Sequence, residues 1–314
     1  MAGGDPMSPL ETALSDYLQL RRALGHQLDD AGRQLARFVV YLNEIGAETV
    51  TMDSVLGFVF DPGLNPASIT PSRRLTAVRG FAGYLAGIDA ATEIPPAGLV
   101  SYRARRRIPH LFSDDDVTAV VRHARASTPF PFRAETLTAL IGLLVVTGIR
   151  VGEALRLERG DIDWDNAVIL IRNTKFHKGR DVPVSASTIE ALTAYAARQD
   201  RPRQSVPRLF VSLTGTPVIY TNFQTTFRNA VAAARIGHGL AVRPRIHDLR
   251  HSFAVRTVLG WHRAGLDVEA LLPRLSTYLG HREPRFTYQY LTATPELLGY
   301  AAARLTAAAG AVTP

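Results

Sequence analysis

Two consecutive prolines, Pro95 and Pro96, interrupt an otherwise helix-patterned chain and constrain its fold more than any other local feature. Proline has no backbone N–H and pushes the residue before it towards extended conformations. No helix therefore runs through residues 91–98, ATEIPPAG. Apolar residues at helical spacing stand on both sides of this break. A chain of 314 residues accommodates two domains. The reading is a first domain over 1–92, a linker over 93–110 and a second domain over 111–314.

The first domain reads as helical throughout. Leu10, Leu14, Tyr17 and Leu18, then Leu35, Phe38, Val39 and Leu42, predict two helices within 9–44. A third covers 53–60 and stops at the Asp61-Pro62-Gly63 turn, and a fourth covers 68–86. In the second domain Ser113 stands ready to cap a helix beginning with Asp114, Asp115 and Asp116. Those carboxylates suit the positive end of a helix better than a metal site, since no companion ligands are visible. The apolar run 137–149 predicts a buried helix that carries Arg150. Residues 167–173 and 181–185 read as strands flanking a polar hairpin tip, TKFHKGR, and 209–212 as a further short strand. Helices are expected over 187–198, 221–235, 247–261, 268–280 and 295–309, with no internal repeat. The fold class is mainly α: a helical first domain, then a mixed, mostly helical second domain with a small antiparallel sheet.

Composition removes several classes of function. The chain has no cysteine, which excludes disulfides, thiolate metal sites and cysteine nucleophiles. The glycine-rich phosphate loop and the HExxH zinc motif are both absent. No apolar run approaches the ~18 residues of a membrane helix. Residues 1–11 show neither a basic start nor an apolar block, so the expectation is a cytoplasmic protein with no membrane partner. A net charge of +8 points instead to a polyanion, because phosphate contacts release counterions. Arg103, Arg105, Arg106 and Arg107 crowd the linker, Arg243, Arg245, Arg250 and Arg256 crowd a later segment, and Arg73, Arg74 and Arg79 lie on the fourth helix.

The later cluster surrounds HDLRH (247–251), which is followed by LGH (279–281) and TYQY (287–290), with TGIRVGEAL (147–155) upstream. His247 and Arg250 stand three apart, on one face of a helix. Attack on a phosphodiester by tyrosine requires a base or a strong positive field, since the phenol titrates at about 10. Charge gathering on the non-bridging oxygens is matched by bidentate arginine forks. The departing sugar oxygen needs a proton, which lysine or histidine supplies and arginine does not. The chain holds a candidate for each task.

The ordered set resembles the tyrosine recombinase (phage integrase) family, and the likeness extends over nearly the whole chain. It implies a helical, SAM-like core-binding domain that clamps DNA, a basic linker, and a catalytic domain of the DNA breaking-rejoining type. It matches Arg150 to the first catalytic arginine, Lys175 to the hairpin lysine, His247 and Arg250 to the His–x–x–Arg pair, His281 to the next histidine and Tyr290 to the nucleophile. Glu153 matches an acidic position that orients the site. Lys178, Arg243, Arg245 and the arginines of the linker and fourth helix are expected to contact DNA. By this likeness Tyr290 joins the 3′ phosphate and frees a 5′ hydroxyl. A partner strand's 5′ hydroxyl then attacks the phosphotyrosine, so the bond energy is kept and no metal, ATP or other cofactor is required. The implied partners are double-stranded DNA carrying a specific recombination site and a homotetramer on two duplexes, with accessory recombination proteins left open. The chain departs from compact members by a longer stretch between Arg250 and LGH, which predicts an inserted turn near Gly265.

Plainer readings stand beside these. Arg150 alone reads as structural, His281 as a helix cap, and Tyr288 and Tyr290 as core aromatics. His238, His251 and His262 are assigned to packing or the surface. A type IB topoisomerase shares the chemistry, and a DNA-binding accessory protein with a lapsed site shares the fold. The stripe Leu297, Leu298, Ala301 and Leu305 predicts docking of the last helix on a neighbouring subunit, the alternative being its own domain. Among 36 basic residues only Lys175 and Lys178 are lysine, and both sit on the hairpin tip. That exception suits a proton donor: Lys175, with Lys178 as the fallback.

Overall fold

Capping and amphipathic spacing build the first unit. The computed structural model describes residues 7–26, 28–65, 68–100, 109–172, 179–203, 205–240, 242–281, 283, 285–288, 290, 297, 299–300 and 302. The chain divides into Met1–Arg107 and Ile108–Pro314. In the first unit α1 (Pro9–Ala23) starts at Ser8, whose hydroxyl accepts from the Glu11 N–H while the Glu11 carboxylate accepts from the Ser8 N–H at 2.8 Å. This exchange satisfies two donors that a helix start leaves open. α2 (Asp29–Glu44), α3 (Met52–Val59) and α4 (Thr70–Leu85) follow. Leu14, Tyr17, Leu35, Phe38, Leu42, Val78 and Phe81 meet in one core, as their spacing predicts.

The second unit has two cores. α5 (Asp114–Ala126) is capped by Ser113, whose hydroxyl accepts from the Asp116 N–H at 3.1 Å. Asp116 and Asp114 are also engaged, with His110 and Arg256, so the acidic run serves a helix start. α6 (Pro131–Thr147) and α7 (Val151–Arg156) lead to a three-stranded antiparallel sheet in the order β1 (Ile162–Asp163), β2 (Val168–Ile171), β3 (Arg180–Pro183). α8 (Ala186–Ala196) and α9 (Tyr220–Ala233) complete a core that includes Leu140, Ile141, Ile169, Val182, Phe210 and Phe227. α10 (Ile246–Arg263), α11 (Val268–Leu279) and the short α12 (Arg285–Tyr288) surround a second core of Val255, Val258, Leu272, Leu275, Leu279, Tyr290 and Leu297. α10 and α11 are joined by a turn at Gly265, with φ +69°, where the longer stretch predicts one.

Three points differ from expectation. The buried helix does not carry Arg150: α6 ends at Gly148, whose φ of +61° breaks the helical path, and Arg150 is extended, at the cap of α7. Residues 209–212 form no strand despite the burial of Leu209 and Phe210; isolated bridges, Glu158 with Arg208 and Val211 with Pro217, take its place. β1 was not expected, being only two residues long. Where the last segment is described, Leu297 is 1% exposed in the second core, and the Tyr300 ring stacks on His262 at 4.7 Å. An apolar side chain in an isolated chain buries itself in the groove within reach. Leu298, Ala301 and Leu305, residues 173–178 of the hairpin with Lys175 and Lys178, and the linker arginines Arg103, Arg105, Arg106 and Arg107 lie outside the described residues.

Candidate active site

The site is assembled on helix ends. The last turn of α11 presents three consecutive carbonyls, and each accepts from a different arginine. Tyr278 O accepts from Arg180 Nε at 2.7 Å, Leu279 O from Arg250 Nη2 at 2.6 Å, and Gly280 O from Arg150 Nη2 at 2.8 Å. Arg250 Nη1 also donates to Gly148 O, at the end of α6, at 2.8 Å. Carbonyls at a helix C-terminus lack intrahelical partners and carry partial negative charge, so guanidinium groups are held there firmly. Both terminating glycines are required. Gly148 and Gly280 have φ of +61° and +67°, and a Cβ would meet Phe253 at 2.5 Å in the first and the Arg180 guanidinium at 2.8 Å in the second.

Glu153 lies among these cations, 5% exposed. Arg180 donates to both its oxygens, at 3.1 and 2.8 Å, and Arg150 adds its Nη1 and its backbone N–H, each at 2.9 Å. Burial opposes ionisation of this carboxyl, but the hydrogen bonds and charge of Arg180, then those of Arg150, hold its pKa at about 2. Arg250 is buried and its pKa falls to about 10, first through desolvation and then through the charge of Arg150. The Arg150 side chain is 41% exposed against 8% for Arg180, so Arg150 is the more accessible of the two to an incoming anion.

The aromatic half of the site faces this cluster. Tyr290 is 2% exposed, whereas Tyr288 is 51% exposed. The Tyr290 ring centroid lies 6.1 Å from His281 and 5.5 Å from His251, and His251 meets His247 edge to face at 4.9 Å. His281 Nδ1 shares a hydrogen bond with the buried Thr287 hydroxyl at 2.8 Å. Desolvation, then the charges of Arg250 and Arg150, push the His281 pKa down to about 3. Desolvation among neighbouring groups, then His251 and Arg250, bring His247 down to about 4. His251 is lowered by desolvation too. In all three rings these shifts favour the uncharged form.

Arg150, Glu153, His247, Arg250, His281 and Tyr290 are thus brought to one place. Sequence reasoning missed two neighbours. His251, assigned to packing or the surface, touches both the His247 and Tyr290 rings; its position one turn after His247 was the available signal. Arg180 was passed over, although strand alternation sets it on the face of the inward Val182. His238 is exposed, as expected. Among the expected DNA contacts, Arg73 and Arg243 are exposed, and Arg245 pairs with buried Asp248 at 3.3 Å. Arg79 donates to Pro95 O at 3.0 Å. Arg74 is a correction: it is 6% exposed, donates to Phe58 O, and covers the Phe58 ring at 4.3 Å. Its charge is spent inside the first unit.

Residues 112–296, the greater part of the chain, match the family model described as "Phage integrase family". The chain belongs to the phage integrase family. It is similar over nearly its whole length to "Putative integrase/recombinase y4rB" of Sinorhizobium fredii, at 37% identity across 95% of this chain and 98% of the relative. It is 27% identical to "Tyrosine recombinase XerD" of Mycobacterium leprae over 90% of this chain and 92% of that one. Its fold is similar to that of the Tn1549 transposon integrase in complex with transposon right end DNA (TM-score 0.63, 16% identity, 94% of this chain and 99% of that one). The XerH site-specific recombinase bound to its difH substrate is similar in fold (TM-score 0.62, 19% identity, 91% and 82% covered). The protein is accordingly a tyrosine recombinase, an enzyme that transfers DNA strands through a tyrosine intermediate. Among the described residues no helix is long and apolar enough to cross a membrane.

Proposed function

We propose that Tyr290 is the nucleophile of this recombinase and that Arg150, Arg250, His247 and His281, with Lys175 from the hairpin, complete the catalytic set. The carrying observation is the buried Tyr290 ring held between His251 and His281, beside guanidiniums fixed on the end of α11. The Tyr290 oxygen attacks phosphorus as its proton passes to a neutral imidazole, and Arg150 and Arg250 neutralise the non-bridging oxygens. The bond from phosphorus to the 5′ oxygen breaks, and Lys175 protonates that oxygen. The product is a 3′-phosphotyrosyl enzyme and a free 5′ hydroxyl. Attack by the partner strand's 5′ hydroxyl expels Tyr290 and restores the phosphodiester, so the number of bonds is conserved and no ATP or metal is called for. Glu153 orients Arg150.

In this reading the first unit is the core-binding domain that grips DNA with Arg73 and its neighbours, and the linker and Lys178, Arg243 and Arg245 add phosphate contacts. Four protomers act on two duplexes in the cytoplasm, bound to the chromosome. The reaction serves exchange at a specific site, in integration, transposition or the resolution of dimeric replicons. The test is a nicked suicide substrate from which the cleaved strand diffuses. Wild-type protein forms a covalent adduct, and Tyr290→Phe binds the same DNA and forms none. An adduct retained in Tyr290→Phe overturns the assignment.

A further inference from the structure

We infer that Arg180 is a positioning residue, the third arginine of the site, which ties the sheet, the end of α11 and Glu153 together and through Glu153 holds Arg150 in place. The inference rests on the reading of Arg150 as a ligand of the scissile phosphate. Arg180 opens β3, opposite Ile171 of β2, so its backbone belongs to the sheet. Its guanidinium reaches away from the sheet in two directions. Nε donates to Tyr278 O at 2.7 Å, while Nη1 and Nη2 donate to Oε1 and Oε2 of Glu153 at 3.1 and 2.8 Å. Its side chain is 8% exposed. It faces inward, towards a buried carboxylate and a helix end, and serves the site from behind.

The dependence of Arg150 on this bond follows from the energetics of buried charge. A carboxylate as buried as Glu153 is costly unless it is paired and hydrogen-bonded. Arg180 supplies two of the four donors on Glu153, and Arg150 supplies the other two, one of them from its side chain. With Arg180 removed, Glu153 keeps only Arg150, and the two reorganise together. Gly280 shows that the helix end is shaped around the same group. It is the residue that accepts from Arg150, and a Cβ there would stand 2.8 Å from Arg180 Nη1. Lysine cannot substitute, because one ammonium on a flexible stem does not donate at once to two carboxylate oxygens and a carbonyl on another side.

The experiment compares full-length wild type, Arg180→Gln, Arg180→Lys, Gly280→Ala, Glu153→Gln and the double variant Arg180→Gln/Glu153→Gln. DNA affinity, melting temperature and the rate of adduct formation on the nicked substrate are measured for each. Both Arg180 variants are expected to bind DNA within about threefold of wild type and to cleave about 10- to 100-fold more slowly, the range for a lost supporting partner. Gly280→Ala, which presses on the guanidinium without changing it, is expected to share that loss. The double variant is expected to cleave no more slowly than Glu153→Gln alone, since both changes break one chain of contacts. Multiplicative losses in the double variant, wild-type cleavage by Arg180→Lys, or a loss of DNA affinity as large as the loss of cleavage overturns the inference. If Arg180→Gln does not fold, Arg180→Lys and Gly280→Ala decide the matter. A wild-type protein that forms no adduct defeats the assignment of Tyr290 itself, whereas Arg180 variants that cleave like an active wild type defeat this inference alone.

Discussion

His247, His251 and His281 are kept neutral first by desolvation, to which the charge of Arg250 adds. Their pKa values lie below that of a free imidazole, with His281 at about 3 and His247 at about 4. The unfolded chain takes up these protons at about pH 6.5. Between the folded and unfolded values the unfolded state binds more protons, so stability rises with pH across that window. The melting temperature is therefore expected to fall as pH is lowered from about 6.5 towards about 4, with His281→Phe weakening the dependence. Glu153, held at about 2, adds a further loss in more acid solution. A melting temperature that is flat from neutral pH to about pH 4 would show the imidazoles not to be suppressed. The two tyrosines separate by burial: Tyr288→Phe, at a 51% exposed position, is expected to leave adduct formation intact. Lys175→Arg keeps the charge and loses the transferable proton, so it is expected to block cleavage of ordinary DNA. Sulfur at the bridging 5′ position leaves without a proton and should restore cleavage to that variant; failure to do so removes Lys175 from the role of acid.

At the scale of elements, the ends of α6 and α11 matter more than their lengths. Each ends in a left-handed glycine whose carbonyl accepts from a site arginine. Gly148→Ala adds both strain at φ +61° and a Cβ against the Phe253 ring. It is expected to cost about 2–4 kcal/mol in denaturant unfolding and to slow cleavage by displacing Arg250. Ser113→Ala removes the cap of α5 in the same unit and is expected to cost about 1 kcal/mol while sparing cleavage. Equal effects of the two on cleavage would mean that the end of α6 acts only through stability. The helices themselves were legible from spacing and caps. Strand 209–212 misled because apolar content marks burial without marking a partner, and here the segment meets only isolated bridges.

For the whole molecule, charge and the chain end set the expectations. A net charge of +8 predicts DNA binding that weakens steeply with salt, measurable as the slope of affinity against salt concentration. Leu297 is 1% exposed against its own unit. Leu297→Ala is expected to lower the stability of the free protein by about 2–5 kcal/mol, as deletion of a buried core side chain does. A free protein whose melting temperature ignores this change would place Leu297 on a neighbour instead. Truncation after Thr294 is expected to spare single-site DNA binding and to abolish pairing of two sites, because exchange of this segment would link protomers. Normal pairing by the truncated protein would remove that role.

The local order of residues by itself determined the break in helix at Pro95 and Pro96, though the two units divide later, after Arg107. It also determined the helices, the cap at Ser113 and the candidate residues between Arg150 and Tyr290. Each of these depends on near neighbours in the chain, through the turn of a helix or the fixed geometry of proline. What only tertiary structure decided is how the arginines are held. Arg150 bonds Gly280 across 130 positions, Arg250 bonds Gly148 across 102, and Arg180 bonds Tyr278 across 98. No spacing rule reaches so far, because these partners meet only when α6, β3, α10 and α11 pack and bring their open carbonyls together. The same packing turned Arg74 into a buried strut and made His251 a neighbour of Tyr290, since burial and ring contact belong to the assembled core and not to the helix that carries the residue.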